Sequence, residues 1–483
     1  MIVVKFGGTS VGDADKVANA IDIVTERIDQ QPIVVVSALA GVTNDLVAAA
    51  DAACAQNQKR VEQIIRAVRE RHEDVGIHLV QQKSDFYDSF VKQVSKQIEE
   101  VDTILRGIAL LGEITPRARD KVMSIGEQLS SVLFAYTMMM RALPAEHVFA
   151  EEVIWTDDNF GGAAPDMKKT RDAAKRVLAP LIERHRIPVM GGFIGRSDAG
   201  AITTLGRNGS DYTAAILAAA IGADEVQIWT DVDGLLTCDP RLVPGARVID
   251  RLTFDEAAEL AQFGAKLHPR TLEPAVEANI PVRVLNTHNP ASPGTLITQR
   301  AGERREGPRS VARKRHITMV HVRSNKMLGA HGFLAKLFSV FEELGISVDL
   351  ITTSEVSVSV TIDDPHPDLR ARLEKIADVE MIDDQCIVAV VGENLMADAR
   401  TGARVLEALH GINVKMVSLG RSGLNLSIVV DDRDADHAVQ SIHNALFESV
   451  IPSREDGEGS PSQERSSPVS GDPSLALGMT GSR

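Results

Sequence analysis

The chain has 483 residues, of which 44% are hydrophobic and 4% are aromatic, and its formal net charge at pH 7 is -15. At about 150 residues per domain, this length suits roughly three domains. The acidic charge and the scarcity of aromatic side chains exclude a general affinity for nucleic acid or anionic membranes, so anions must bind at individually placed Lys, Arg and backbone N–H groups.

The chain begins with MIVVKFGGTS, an apolar run that has no basic flank and leads at once into glycines. We therefore expect a buried first strand rather than a signal peptide. No run of about 20 apolar residues occurs, so we expect no membrane-spanning segment. Cys54, Cys238 and Cys386 lie too far apart for a metal motif or a disulfide framework, which predicts reduced thiols in a cytoplasmic protein.

Residues 1–300 alternate short apolar strands with helices. The segments IVVKF, PIVVVSAL, RIPVM, EVQIWT and IPVRVLNT are typical of strands, whereas residues 58–112 predict long polar helices. Short strands that are apolar throughout indicate a mainly parallel sheet covered on both faces. The sequence therefore predicts a layered α/β domain over residues 1–300.

The remaining sequence changes in character. Residues 301–314 are polar and charged and contain Gly and Pro, which predicts a linker. Residues 315–384 and 385–451 repeat a strand-helix-strand-strand-helix pattern, and each copy is too small to bury its helices alone, so we expect their sheets to lie side by side. Residues 452–483 are rich in Ser, Gly, Pro and Glu, which predicts a disordered tail.

Glycine-bearing and polar loops follow several predicted strands. KFGGTS and SALAGVTN follow the first two strands, and GGFIGR and WTDVDG follow later ones. Ligands of parallel sheets bind beyond the carboxyl ends of the strands, so we expect these loops to converge at one edge. Turns alone need no Lys, Arg or Asp. The convergence therefore fits a nucleoside triphosphate, a metal ion and a polar acceptor.

The segment TTLGRNGSDYTAA, residues 203–215, carries both Arg207 and Asp211 in a loop that leads into an apolar run. We expect Asp211 to cap the N-terminus of a helix. A loop-to-helix junction of this kind can bind an anion, although the Gly-Lys-Ser/Thr of the common phosphate loop is missing.

In chain order, the motifs VVKFGGTSVGD, GGFIG, TTLGRNGSDYTAA, IWTDVDG, DPR and FGAK resemble the signatures of aspartate kinases, and the C-terminal repeat resembles their paired ACT domains. The resemblance implies a three-layer αβα amino-acid kinase domain with a mainly parallel sheet, followed by two ferredoxin-like ACT domains. It also implies ATP-dependent phosphorylation of the β-carboxylate of L-aspartate, with Mg²⁺ and with feedback inhibition by an amino acid.

The segment HGFLAKLFSVFEELGISVDLITTSEVSVS resembles the lysine-regulated, single-activity class of that family. L-lysine is therefore the expected effector, and no dehydrogenase domain is expected. Pairing of ACT sheets across a two-fold axis implies a homodimer, or a dimer of dimers.

The resemblance also implies roles for individual residues. Arg207 would bind a carboxylate of the substrate and Glu127 its α-ammonium, which together select an amino acid over a simple dicarboxylate. Asp211 would hold the lysines around the transferring phosphoryl group, and neither an enzyme nucleophile nor a protein metal-ligand set is expected. The implied sets are catalytic Lys5, Asp211 and Lys266; substrate-binding Thr43, Glu127, Phe193 and Arg207; nucleotide-binding Lys5, Gly7, Gly8, Ser37, Thr230, Asp231, Arg241 and Lys266; and effector-binding Met327, Gly332, Leu334, Ser347, Val348, Asp349, Thr353, Ser354 and Glu355.

Three features depart from the family pattern: Leu236 replaces a common tyrosine, the segment after Lys266 is one residue short, and Ala330 replaces a hydroxyl residue. Two alternatives stay open. One is an amino-acid kinase for glutamate or a related acid, which Glu127, Arg207 and the ACT pair disfavour. The other is a catalytically weak, amino-acid-sensing regulatory protein, for which the shortened segment is the only indication.

Overall fold

The structure of the protein is a computed structural model that describes residues 1–80, 85–264, 269–299, 306–324, 327, 331–420 and 422–448. Within these ranges, no helix has both the length and the apolar character needed to cross a membrane. The predicted tail over 452–483, Lys266 and Ala330 lie outside the described residues.

An eight-stranded sheet organises the first part of the chain. The strands here are β1 (Ile2–Phe6), β2 (Pro32–Val36), β3 (Ala145–His147), β4 (Ile187–Gly191), β5 (Ile194–Arg196), β6 (Ile202–Thr204), β7 (Glu225–Thr230), β8 (Arg251–Thr253), β9 (Val282–Asn286) and β10 (Thr295–Thr298). The sheet order is β3-β4-β2-β1-β7-β9-β10-β8, while β5 and β6 form a separate hairpin. All neighbours in the sheet are parallel except β9 and β10, so the predicted mainly parallel sheet is confirmed.

Helices cover both faces of this sheet. Along β1, Val4 and Phe6 pack on one face and Val3 packs on the other, which explains why the residues of this strand other than Lys5 are apolar. Lys5 follows the same alternation, so it points to the face of Val3. The helices are α1 (Ala14–Thr25), α2 (Val42–Cys54), α3 (Gln58–Leu79), α4 (Asp85–Leu111), α5 (Pro116–Met140), α6 (Met167–Val177), α7 (Ala179–Glu183), α8 (Gly209–Ile221), α9 (Phe254–Gln262) and α10 (Pro269–Glu277).

The prediction that Asp211 caps a helix is wrong. Helix α8 begins at Gly209 after Asn208, whose φ is 56°. Asparagine is among the few residues that adopt this left-handed conformation readily, so it can turn the chain into the helix. Asp211 lies in the first turn of α8, where a negative charge is favoured by the helix dipole.

A six-stranded sheet with the order β12-β13-β11-β14-β16-β15 forms the C-terminal part. Its elements are β11 (Gly307–Arg323), α11 (Phe333–Glu343), β12 (Ile351–Thr353), β13 (Ser357–Ile362), α12 (Leu369–Leu373), β14 (Asp378–Glu393), α13 (Ala399–Ala408), β15 (Met416–Leu419), β16 (Asn425–Asp431) and α14 (Ala435–Phe447). The predicted repeat is confirmed. Its two copies share one antiparallel sheet, because β11 and β14 pair with each other along the length of both strands. The proposed boundary between residues 384 and 385 falls inside β14, next to Asp384, whose φ is 52°.

The predicted linker over residues 301–314 is wrong for residues 307–314, which form the first part of β11 and pair with β14. Charged side chains in this segment have ionic partners: Arg309 lies 3.4 Å from Glu256, and Lys314 lies 2.7 Å from Asp349. A polar composition is therefore compatible with a strand here, because the partners come from distant parts of the chain.

Candidate active site

A cavity of about 1530 Å³ opens at the carboxyl edge of the parallel sheet. Loops that follow β1, β2, β4 and β7 line it, together with the first turn of α8 and one face of α5. The predicted site residues that line this cavity are Lys5, Gly7, Gly8, Ser37, Thr43, Glu127, Phe193, Arg207, Asp211, Thr230 and Arg241.

Lys5 and Asp211 form a buried ion pair at one wall of the cavity. The Lys5 Nζ lies 2.5 Å from an oxygen of Asp211, and their side chains are 10% and 8% exposed. The alternation of β1 turns Lys5 towards α8, and the first turn of α8 presents Asp211. The pair fixes an ammonium group where the strand ends.

Glycine lets the first two loops touch. A Cβ at Gly8 would lie 2.8 Å from the carbonyl oxygen of Ala38, closer than a side chain tolerates. A Cβ at Gly7 would lie 3.7 Å from the Lys5 Nζ. The loops after β1 and β2 therefore pack backbone against backbone beside the ammonium group.

Glu127 is a buried carboxyl group in the same cavity. Its burial raises its pKa to about 8, although the N–H of Ala38 and the charge of Lys5 oppose the shift. Its Oε2 accepts no hydrogen bond within the described part of the chain. Arg207 is exposed in the cavity and, among the described residues, it has no ion-pair partner. Within the described residues, one buried carboxyl oxygen without a donor and one guanidinium without an ion-pair partner therefore line the same cavity, which suits a ligand that carries both an ammonium and a carboxylate.

Phe193 lies between β4 and β5 in a strained conformation and contacts α8. Its φ is 67°, and its N–H donates to the hydroxyl of Thr213 at 2.9 Å. A Cβ at Gly209 would lie 2.5 Å from the Phe193 ring. Left-handed non-glycine residues are costly and cluster at functional sites, and here the bond to Thr213 helps to hold one.

Thr230 and Arg241, two further residues assigned to a nucleotide, also line the cavity, whereas Asp231 is not among the residues that line it. The Thr230 hydroxyl donates to the Asp231 carboxylate at 3.1 Å. Arg241 is bound to Asp239 at 2.6 Å, and 88% of its side chain is exposed, so it lies at the rim. Within the described residues, no group of three or more His, Cys, Asp and Glu side chains is arranged to hold a metal ion.

Sequence reasoning missed several cavity residues. Asp120 lies two turns before Glu127 on α5, and this helical spacing was a signal that could have found it. No such signal exists for Leu242, for Val439 of α14 or for residues 310–313 of β11, which also line the cavity. They reach it through packing between segments that are far apart in sequence.

The residues implied for an effector lie in the first C-terminal repeat. Met327 and Val348 pack against the core of that repeat beside Phe333 of α11. Asp349 is ion-paired with Lys314, which also lies 2.7 Å from Asp363, so its charge is already engaged. Of the remaining implied residues, Gly332 precedes α11 and Leu334 lies within it. Thr353 ends β12, and Ser347, Ser354 and Glu355 lie in the segments on either side of that strand; Leu334 and Glu355 are exposed.

The comparisons with known proteins agree with this geometry. The amino acid kinase family matches residues 1–286, and the ACT domain matches residues 320–368 and 388–446. The chain is 39% identical over 470 residues to the chloroplastic aspartokinase 3 of Arabidopsis thaliana, covering 92% of this chain and 82% of that protein. The chain belongs to the aspartokinase family. The family resemblance of the sequence motifs is thereby confirmed.

Bacterial aspartokinases are similar over nearly their full length. The lysine-sensitive aspartokinase 3 of Escherichia coli is 37% identical over 93% of this chain and 99% of its own. The crystal structure of Escherichia coli aspartokinase III with aspartate and ADP, an R-state, has a TM-score of 0.79 at 36% identity and covers 93% of this chain and 100% of that one. The complex of the same enzyme with lysine and aspartate, a T-state, has a TM-score of 0.78 at the same identity and coverage.

Proposed function

We propose that the protein is an aspartate kinase that transfers a phosphoryl group from ATP to the β-carboxylate of L-aspartate. The observation that carries the proposal is the single cavity lined by the buried Glu127 carboxyl, whose Oε2 has no donor among the described residues, by the exposed guanidinium of Arg207 and by the Lys5–Asp211 pair. Membership of the aspartokinase family supports the same function, and so does the crystal structure of the Escherichia coli relative in complex with aspartate and ADP.

Recognition of the amino acid rests on two charges. Glu127 accepts the α-ammonium of aspartate, and Arg207 binds a carboxylate through its planar fork. Thr43 and Phe193 line the same cavity and border the substrate. A ligand without an ammonium would leave Glu127 without a partner, so a simple dicarboxylate should bind poorly.

Transfer needs positioning and charge neutralisation more than covalent chemistry. An oxygen of the aspartate β-carboxylate attacks the γ-phosphorus of ATP while the bond to the bridging oxygen of ADP breaks. The acceptor is already ionised, so no proton moves and no enzyme nucleophile is needed. Lys5, held by Asp211, neutralises charge on the phosphates, which the proposal places against Gly7, Gly8 and Ser37.

The nucleotide and its metal are assigned by the same proposal. Thr230 and Asp231 border the nucleotide, and Arg241 and Lys266 complete the phosphate-binding set. Mg²⁺ neutralises phosphate charge, and it commonly takes only one or two carboxylates besides phosphate oxygens and water. Asp231, which lies directly after β7 at the carboxyl edge, would be the carboxylate closest to Mg²⁺.

We further propose that L-lysine regulates the enzyme from the first C-terminal repeat and that the protein is a homodimer, or a dimer of dimers, through its C-terminal sheet. The name of the Escherichia coli relative and its lysine complex support the effector. Edge strands β12 and β15 expose Ile351, Val417 and Leu419, which suits burial against a second copy. Light scattering of the purified protein tests the dimer.

The test of the function is ADP release with ATP and Mg²⁺, measured with L-aspartate, L-glutamate and succinate, with and without lysine or threonine. We expect turnover with aspartate alone and suppression by lysine. Turnover with succinate would contradict the assigned role of Glu127. No turnover from a folded chain that binds an amino acid would favour the regulatory protein instead.

A further inference from the structure

We propose that Asp120 is a positioning residue for the aspartate subsite: its carboxylate holds the two glycine turns that place Arg207. The proposal rests on the proposed function of the cavity. Asp120 is 1% exposed, and it lies on α5 two turns before Glu127.

Both oxygens of Asp120 are occupied by donors from other elements. One oxygen accepts the N–H of Gly161 at 3.0 Å and the N–H of Thr204 at 2.8 Å. The other accepts the hydroxyl of Thr204 at 2.9 Å. Hydrogen bonds to a charged acceptor are the stronger kind. Asp120 therefore fastens two segments that are distant in sequence to one helix.

The fastened segment leads directly to Arg207. Thr204 ends β6, and its carbonyl accepts the N–H of Ala163 at 2.9 Å. The next residue, Leu205, donates its N–H to the carbonyl of Phe193 at 2.9 Å. The backbone from Thr204 is thus held on both sides up to the turn that precedes Arg207.

The two glycine turns also contact each other. Gly206 has a φ of 80° and Gly161 a φ of 88°, both in the left-handed region. A Cβ at Gly206 would lie 3.2 Å from the carbonyl oxygen of Gly161. Because Asp120 binds the N–H of Gly161 as well as Thr204, one carboxylate sets the position of both turns relative to α5.

This arrangement fixes the spacing between the two recognition charges. Helix α5 carries Glu127 directly, and through Asp120 it also fixes the turn that carries Arg207. Both oxygens of Asp120 are already bonded to donors of the protein, so we assign it a role through Arg207 rather than on the ligand. Loss of the hydrogen bonds of Asp120 should therefore weaken aspartate binding and leave nucleotide binding unchanged.

The first test is Asp120→Asn in the full-length chain, since the amide keeps the shape but one of its two polar atoms cannot accept an N–H. We expect the KM for aspartate to rise by about tenfold or more, with the KM for ATP within about threefold of wild type. Calorimetric titration with L-aspartate alone should show the same loss of affinity. An unchanged aspartate affinity in the folded variant would overturn the proposal.

Glu256→Gln is the matched control, because Glu256 is also fully buried and accepts both the N–H and the hydroxyl of one threonine, Thr253. It should lower the melting temperature without raising the KM for aspartate. An equal rise of that KM in the control would show that general destabilisation is the cause, and would overturn the proposal.

Thr204→Val decides the question if Asp120→Asn does not fold, because it removes only the hydroxyl donor. We expect a rise of about threefold or more in the KM for aspartate, with the KM for ATP unchanged. An unchanged aspartate KM in this variant would contradict the proposal. If the wild-type chain shows no turnover, the proposed function fails, and titration of the variants with aspartate still tests Asp120.

Discussion

Lys5 and Asp211 meet where β1 ends and α8 begins, and both are largely removed from solvent. A buried ion pair contributes modestly as a pair, but removal of one partner leaves the other charge uncompensated. In this protein the pair also holds the ammonium that the proposed transfer requires. Its two roles, in stability and in turnover, can be separated by mutation.

We predict that Lys5→Met reduces kcat by about 100-fold or more and lowers the free energy of unfolding by about 3 to 5 kcal/mol, because Asp211 stays buried without its partner. The double variant Lys5→Met/Asp211→Asn should recover most of the stability and none of the turnover. Denaturant unfolding and ADP release measure the two effects. Recovery of turnover in the double variant would show that Lys5 has only a structural role.

Ionisation of Glu127 makes the free energy of unfolding depend on pH. Burial raises the pKa of its carboxyl from 4.5 to about 8 in the folded chain. The stability that it contributes is therefore complete below about pH 4.5 and is lost as the pH rises towards 8, by up to about 1.4 kcal/mol per pH unit. Substitution by Gln removes this titration.

We predict that the melting temperature of Glu127→Gln, relative to wild type without substrate, increases between pH 5 and pH 8, whereas its KM for aspartate rises by about 100-fold because the ammonium loses its partner. The wild-type KM for aspartate should fall as the pH rises from 6 to 8, since the ionised carboxylate binds the ammonium. Parallel melting curves of the two proteins across this pH range would show that Glu127 does not titrate there.

At the scale of elements, the segment that follows β4 packs against the first turn of α8, and this contact requires a glycine at position 192. A Cβ at Gly192 would lie 2.5 Å from the Cβ and 2.7 Å from the Cα of Ser210. Either α8 or Phe193 would have to shift, and both line the proposed aspartate subsite. Gly192 is therefore needed both for the packing of α8 and for the shape of the proposed aspartate subsite.

We predict that Gly192→Ala lowers the free energy of unfolding by about 1 to 3 kcal/mol and raises the KM for aspartate. Gly107→Ala on α4 is the control, because a Cβ there meets no atom within 4 Å, and it should stabilise the helix by up to about 1 kcal/mol. Thermal melts and aspartate saturation curves provide the readouts. A Gly192→Ala variant that matches wild type in both would contradict the close packing of this junction.

The elements differ in how far the sequence determines them. Strand β1 is apolar and is followed by Gly7 and Gly8, so its burial and the position of Lys5 at the sheet edge could be predicted from local pattern alone. The first part of β11 could not, because its Arg309 and Lys314 look solvent-exposed until their distant partners are known. Local composition records neither long-range ion pairs nor strand register.

The same limit applies to the site. Lys5 and Arg207 could be proposed because they belong to motifs of contiguous residues, and Glu127 could be proposed from the family resemblance. The helical spacing from Glu127 could have placed Asp120 near the site, but not its role, because its partners lie 41 and 84 positions away along the chain. The N-terminus of α8 was misplaced because Asp at a helix start usually signals a cap, whereas the ion pair with Lys5 draws Asp211 into the first turn.

At the scale of the whole molecule, the C-terminal unit, which runs from β11 to α14, contributes to one wall of the cavity. The Ser310 hydroxyl donates to the carbonyl of Leu236 at 2.9 Å, and the Gln440 side-chain amide donates to the carbonyl of Leu242 at 2.9 Å. The loop between Leu236 and Leu242 lines the cavity and contains Arg241, which we propose to bind the nucleotide. Its position therefore depends on β11 and α14 rather than on the parallel sheet alone.

We predict that Ser310→Ala/Gln440→Ala raises the KM for ATP by about fivefold and leaves the KM for aspartate within about twofold, because two bonds to one loop are lost and the aspartate subsite is untouched. The control Gln58→Ala/Ser339→Ala removes two side-chain bonds that do not join the units, from Gln58 to Glu62 and from Ser339 to Ala335, and should leave both constants unchanged. Saturation kinetics for each substrate, without lysine, measure the effect. Equal rises in both KM values would mean that the C-terminal unit supports the whole cavity. A rise in the KM for ATP alone would mean that the C-terminal unit affects nucleotide binding through this loop.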